Sequence, residues 1–224
     1  MEKVMARDHK DLEIHPLQES ELRQAHDIKV EYLEDGSFEA WSSDWKSHPE
    51  LTVSCLFEGQ LIGVAYGRPS PRKDGDVILE GIAVIQPHAG QGIGSQLLHF
   101  FERQAEKGGH SSVSLGSAGG YVEHFYMKNG YRPVEFVCWV SADYDLPVAL
   151  KHKFGLADEP LPDDTRRLSV SVQSLDNELR DRLMADLGVA DVVAIMEKDC
   201  RIRAGETQWH HSERTRHGGP EGAP

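Results

Sequence analysis

The chain has 224 residues, 39% hydrophobic and 27% charged, enough for one good-sized domain with an appendage or for two small ones. No apolar run approaches the roughly 20 residues that cross a bilayer, and "MEKVMARDHKDLEIHPL" has no apolar core of the export-signal kind, so no membrane partner is expected and the expected location is cytoplasmic. A formal charge of -13 works against the attraction to phosphate that drives nucleic-acid binding; no nucleic-acid partner is expected, and a cationic substrate is favoured.

"DLEIHPL" (11–17) reads as a short first strand. Ser20 then precedes a helix that places Leu22, Ala25, Ile28 and Leu33 on one face. "FEAWSSDWKSHPE" (38–50) is aromatic and less regular, a short helix or a loop. "LTVSCLFEGQLIGVAYGRPS" (51–70) is a hairpin, two β-rich runs joined by Glu58, Gly59 and Gln60. After Pro69, Pro71 and Gly75, "DVILEGIAVI" (76–85) is apolar on both faces except at Glu80, the pattern of a central strand.

Beyond Pro87 comes a glycine-rich turn, "GQGIGS" (90–95), and a helix with Ile93, Leu97, Phe101 and Ala105 at steps of four. "SSVSLGS" (111–117) is a strand, "GYVEHFYMKNGYRP" (120–133) a helix ended by Gly130, and "VEFVCWV" (134–140) another strand. Residues 146–166 are rich in proline and acid and read as a linker or loop. Residues 167–202 read as strand, helix and strand, with Leu175, Leu179, Leu183 and Leu187 on one helical face. Residues 203–224 lack periodicity and are expected to be disordered or loosely attached. The three cysteines, Cys55, Cys138 and Cys200, match no zinc spacing, and no histidines pair as a helical metal site would require, so no metal is expected.

A strand, a glycine-rich turn and a helix together form an anion cradle, because glycine lets amides face a ligand and the helix N-terminus adds partial positive charge. Gly90, Gly92 and Gly94 lack the last glycine of a dinucleotide fingerprint, and Gly94-Ser95 lacks the lysine of a nucleoside-triphosphate loop. "AGQGIG" (89–94) instead resembles the acetyl-CoA loop of the Gcn5-related N-acetyltransferases (GNAT), with Gly92 and Gly94 at its glycine positions and Ala89 where that family has Arg or Gln. "IAV" (82–84) before Pro87 resembles the family's fourth strand. "HFYMKNGYRP" resembles its fourth helix, with Phe125, Tyr126, Lys128, Gly130 and Tyr131 in order.

The resemblance implies an α/β (α+β) fold: a mixed, mostly antiparallel central sheet flanked by helices, in a domain spanning 1–145. It also implies an acetyl-CoA-dependent N-acetyltransferase with acetyl-CoA as cosubstrate. The backbone of Ile82, Ala83 and Val84 would pair with the pantetheine arm, and the amides of Gly90, Gln91, Gly92, Ile93, Gly94 and Ser95 would hold the pyrophosphate. Tyr126 would lie near the CoA sulfur, and "LEGI" (79–82) is similar to a stretch of some aminoglycoside N-acetyltransferases whose glutamate lines the acceptor site. The acceptor would be a small-molecule amine, a peptide N-terminus or a lysine. A CoA-binding regulatory or assembly module without catalysis is the rival from another class.

From the residues themselves, Tyr126 is a proton donor to the departing thiolate or a packed core tyrosine, and Glu80 is a base, an amine ligand or half of a structural ion pair. Glu123 and His124 are expected on the solvent face of their helix, and Trp41 and Trp45 either roof the acceptor pocket or fill the core. "VVAIMEKD" resembles the family's final strand, yet about 50 residues separate it from "VEFVCWV" where a short turn is usual. The strand-helix-strand element is therefore an extension or insertion that completes the sheet, caps the acceptor site or pairs two subunits as a homodimer; sequence leaves these open.

Overall fold

A computed structural model describes residues 11–33, 36–117 and 119–201 of the chain, so the expectation for the tail 203–224 lies outside the described residues. Among the described residues nine strands form one sheet: β1 (Leu12–Pro16), β2 (Thr52–Phe57), β3 (Gln60–Pro69), β4 (Asp76–Val84), β5 (Ser112–Ser117), β6 (Arg132–Ser141), β7 (Ala157–Pro160), β8 (Thr165–Ser171) and β9 (Val193–Asp199). Their order across the sheet is β1-β2-β3-β4-β5-β9-β6-β8-β7, and every neighbouring pair is antiparallel except β4 with β5. The β2–β3 hairpin closes on Glu58 and Gly59, both at positive φ, the backbone whose twist suits a two-residue turn.

Helices cover both faces. α1 (Leu22–Tyr32) and α2 (Phe38–Ser47) bury Leu22, Ala25, Ile28 and Trp41 against Val64, Tyr66 and Ala83. Ser37 caps α2, its hydroxyl accepting from the Ala40 amide at 3.1 Å. On the other face, α3 (Ile93–Lys107) sets Ile93, Leu97, Phe101 and Ala105 into Val53, Ala65, Val77 and Leu79. A Cβ at Gly67 would lie 2.3 Å from the carbonyl oxygen of Ile78, so only glycine lets β3 approach β4 there.

Residues 146–166, expected as a linker or loop, hold a helix, α5 (Val148–Phe154), and the edge strand β7. Proline and acidic residues are tolerated there because the strand is the outermost of the sheet. α6 (Asn177–Leu187), capped by Asp176 and ended by Gly188 at φ 64°, buries Leu183 and Leu187 against Phe136, Cys138 and Leu168. β8 lies beyond β6 in the sheet, and β9 lies between β5 and β6.

Candidate active site

The sheet opens at its one parallel pair. β4 and β5 are bonded only from Asp76 to Ile78 against Ser112 to Ser114; β5 continues along β9 while β4 stays with β3. From Leu79 to Val84, the β4 edge on that side therefore carries backbone groups with no strand beside them. Along the same stretch Tyr66 pairs with Gly81 and Gly67 with Leu79, which leaves Glu80 as the extra residue of a β-bulge. The bulge reverses the alternation: Val77 and Leu79 face the α3 core, whereas Ala83 beyond it faces α1.

Ile82 and Val84 pack on the α3 core and Ala83 on the α1 core, so their side chains are occupied and only the strand edge is available to a ligand. The chain then turns through Gln86–His88, passes Gly90 (φ 75°) and Gly92 (φ 84°), and enters α3. The first α3 bond runs from the Gln96 amide to the Gly92 carbonyl at 3.2 Å, leaving the amides of Ile93, Gly94 and Ser95 without an intrahelical acceptor. A Cβ at Gly90 or Gly92 would meet nothing within 4 Å, so these glycines face open space rather than packing. An anionic group fits that cradle. Gln91 folds back, its side-chain amide donating to the Pro87 carbonyl at 3.2 Å, and serves the loop's shape.

α4 (Tyr121–Lys128) lies against the start of α3: a Cβ at Gly94 would sit 3.6 Å from the Phe125 ring. Tyr126 on α4 is 6% exposed, its ring 5.1 Å from that of Phe125 and 5.6 Å from that of Tyr131. Burial pushes its hydroxyl up to about 12, so it stays a proton donor through neutral pH. Glu123, expected at the solvent face, is instead buried and paired with the equally buried Arg180 of α6; His124 is exposed. One helical turn puts Glu123 and Tyr126 on the same inner side, and the distant Arg180 left no local signal for it.

Glu80 is not the buried carboxylate its apolar surroundings suggested, because the bulge turns it outward. It accepts from Arg68 Nε at 2.5 Å across the hairpin. It also borders a cleft of about 290 Å³ on the α2 side of the sheet, with Trp41, Asp44, Trp45, Tyr66 and Arg68. Trp45 lines this cleft, and its indole Nε1 is buried with no partner among the described residues. Tyr126, in the α3 core, and Glu80, beside α2, thus belong to opposite faces of the sheet.

Among the described residues no helix is long and apolar enough to cross a membrane. A sequence model of the Acetyltransferase (GNAT) family matches residues 12–131, more than half the chain. No curated protein matches in sequence. Among solved structures, the ribosomal-protein-S18-alanine N-acetyltransferase from Escherichia coli superposes with a TM-score of 0.53 at 15% identity, over 88% of this chain and 99% of that one. Ard1 from Thermoplasma volcanium gives 0.51 at 15%, over 74% and 99%. An aminoglycoside 6'-N-acetyltransferase complexed with coenzyme A gives 0.50 at 15%, over 85% and 98%. At these identities the likeness is one of fold.

Proposed function

Because the chain belongs to the acetyltransferase (GNAT) family, we propose that it transfers an acetyl group from acetyl-CoA to a primary amine by direct attack in a ternary complex. The observation that carries this reading is the splayed β4 edge ending in a cradle of unpaired amides. When bound, acetyl-CoA supplies an acyl group activated as a thioester. The β4 edge at Ile82 to Val84 pairs with an extended amide-bearing arm, and the amides of Gly90 to Ser95 receive its anionic end. Tyr126, held protonated by burial, gives its proton to the leaving sulfur. Glu80 and the Trp41–Trp45 cleft orient the amine from the opposite face.

A covalent acetyl-enzyme has little support, since all three cysteines are buried and burial pushes the Cys55 and Cys200 thiols up to about 12, far from a reactive thiolate. Free buried thiols also suit a reducing, cytoplasmic setting. The acceptor class takes in small amines, peptide N-termini and lysine side chains. The test is thiol release from acetyl-CoA against a panel of these amines, with mass spectrometry of the protein after acetyl-CoA alone. Amine-dependent release without a stoichiometric protein adduct is expected. A stable adduct on a cysteine would overturn direct attack; tight acetyl-CoA binding with no turnover on any amine would leave a CoA-binding module.

A further inference from the structure

Beyond the Trp41–Trp45 cleft, the same face of the sheet carries a second, larger pocket of about 390 Å³. Its floor crosses the sheet from Ile78 on β4, through Ser114 and Gly116 on β5 and Ile195 on β9, to Trp139 on β6. Residues 70–75, between β3 and β4, reach over this floor as a strap. Arg72 donates through both terminal nitrogens to Glu159 on the outermost strand β7, and Lys73 Nζ lies 2.5 Å from Glu197 on β9. The far wall includes Arg167 of β8, so the strand on the outer side of β6 helps to build the pocket.

Two observations define what would fit. Every charged side chain around it is already engaged: Arg72 with Glu159, Lys73 with Glu197, Arg167 with Glu135, and Asp76 accepting from the hydroxyls of Ser112 and Ser114 at 2.6 Å each. What is left for a ligand is apolar surface, from Ile78, Val134, Ile195 and the indole of Trp139, which is 49% exposed. The second observation is position. Ile78 and Ser114 are the last bonded pair before β4 and β5 part, so the pocket begins where the reacting opening begins, on the face away from α3.

We propose that this strapped pocket is an acceptor subsite, and that the preferred amine carries an uncharged apolar body, alkyl or aryl, that runs from the opening between β4 and β5 under residues 70–75. The proposal rests on the amine-acetylating reading above. Covering Ile195 and Trp139 removes apolar area from water, and at about 0.8 kcal/mol per buried methylene each added carbon of the acceptor raises kcat/KM by roughly fourfold.

The test uses the full chain and primary alkylamines from ethylamine to hexylamine with acetyl-CoA, on wild type, Ile195→Phe, which fills the floor, and Trp139→Ala, which removes the exposed end of that floor. In wild type kcat/KM should climb about fourfold per methylene; both variants should flatten the climb while ethylamine turnover is unchanged. The same order should appear in hexylamine's stabilisation of the CoA-bound protein against heat, a readout that needs no turnover. A flat series in an enzyme that turns over ethylamine, or a climb untouched by both variants, overturns the subsite and leaves the acetylation reading standing. If both variants instead blunt a gain from longer acyl-CoA donors, the pocket holds the donor's tail and the acceptor assignment is wrong. Absence of turnover with every alkylamine, and of any hexylamine-induced shift, removes the subsite, and the acetylation reading is then decided on the wider amine panel above.

Discussion

Glu80 occupies the position on β4 that has no opposite number on β3, and its surroundings follow from that. In the sequence it stands alone among apolar residues and reads as a buried charge; the extra residue of the bulge carries it outward to Arg68 and the cleft. A bulge depends on the pairing of two strands, so periodicity within one strand cannot reveal it. Tyr126 stands out in the sequence by its place in the helix motif, and its burial keeps the hydroxyl protonated. Two outcomes separate their roles. Tyr126→Phe should lower kcat by about 10 to 1,000-fold with little change in the Michaelis constant for acetyl-CoA, since only the departing sulfur loses a donor. Glu80→Gln should chiefly raise the Michaelis constant for the amine. Full activity in Tyr126→Phe across the pH range would make the tyrosine a packing residue only. In the cradle, Gly92 requires left-handed backbone and any side chain there strains the fold, so Gly94→Val is the cleaner probe. It should weaken acetyl-CoA binding while the protein stays folded, and unchanged affinity would place the anionic group elsewhere.

The elements that hold these residues were unequally visible. The β2–β3 hairpin, the glycine turn and α3 carry their signals within a few residues, so their places in the sequence and the fold agree. β5 leaves β4 after Ser114 and continues along β9, which comes from the far end of the chain, a pairing no local pattern announces. The short edge strand β7 was concealed by its proline and acidic residues. The contact between α6 and α4 belongs to the same class. Arg180 reaches Glu123 in a buried ion pair and lies over the Phe136 ring, so α6 braces the helix that bears Tyr126. Arg180→Met strands a buried carboxylate and should cost about 3–5 kcal/mol, with a lower kcat from a displaced Tyr126; adding Glu123→Met should restore most of the stability. Thermal denaturation of the two variants reads this directly, and an unchanged midpoint in Arg180→Met would show that the pair is not a brace.

Taken whole, the molecule is an acidic sheet protein with helix-packed cores on both faces, and the formal charge of -13 favours approach of a protonated amine at low ionic strength. Its buried acids predict how stability depends on pH. Cys55 and Cys200 rise from 9.0 to about 12 and Tyr126 from 10.0 to about 12, all through burial first. The folded form therefore keeps protons that the unfolded chain releases, so their contribution is complete below pH about 9 and is lost between about 9 and 12. Guanidinium midpoints should fall steadily over that window, and Cys55→Ala should make the fall shallower; a midpoint independent of alkaline pH would contradict this. The decisive measurement is backbone hydrogen exchange with and without acetyl-CoA. Protection should appear together at Leu79–Val84, along the free edge of β4, and at Gly90–Ser95, at the start of α3. Protection confined to other segments, with these two unchanged, would show that the opening between β4 and β5 does not receive the acyl donor.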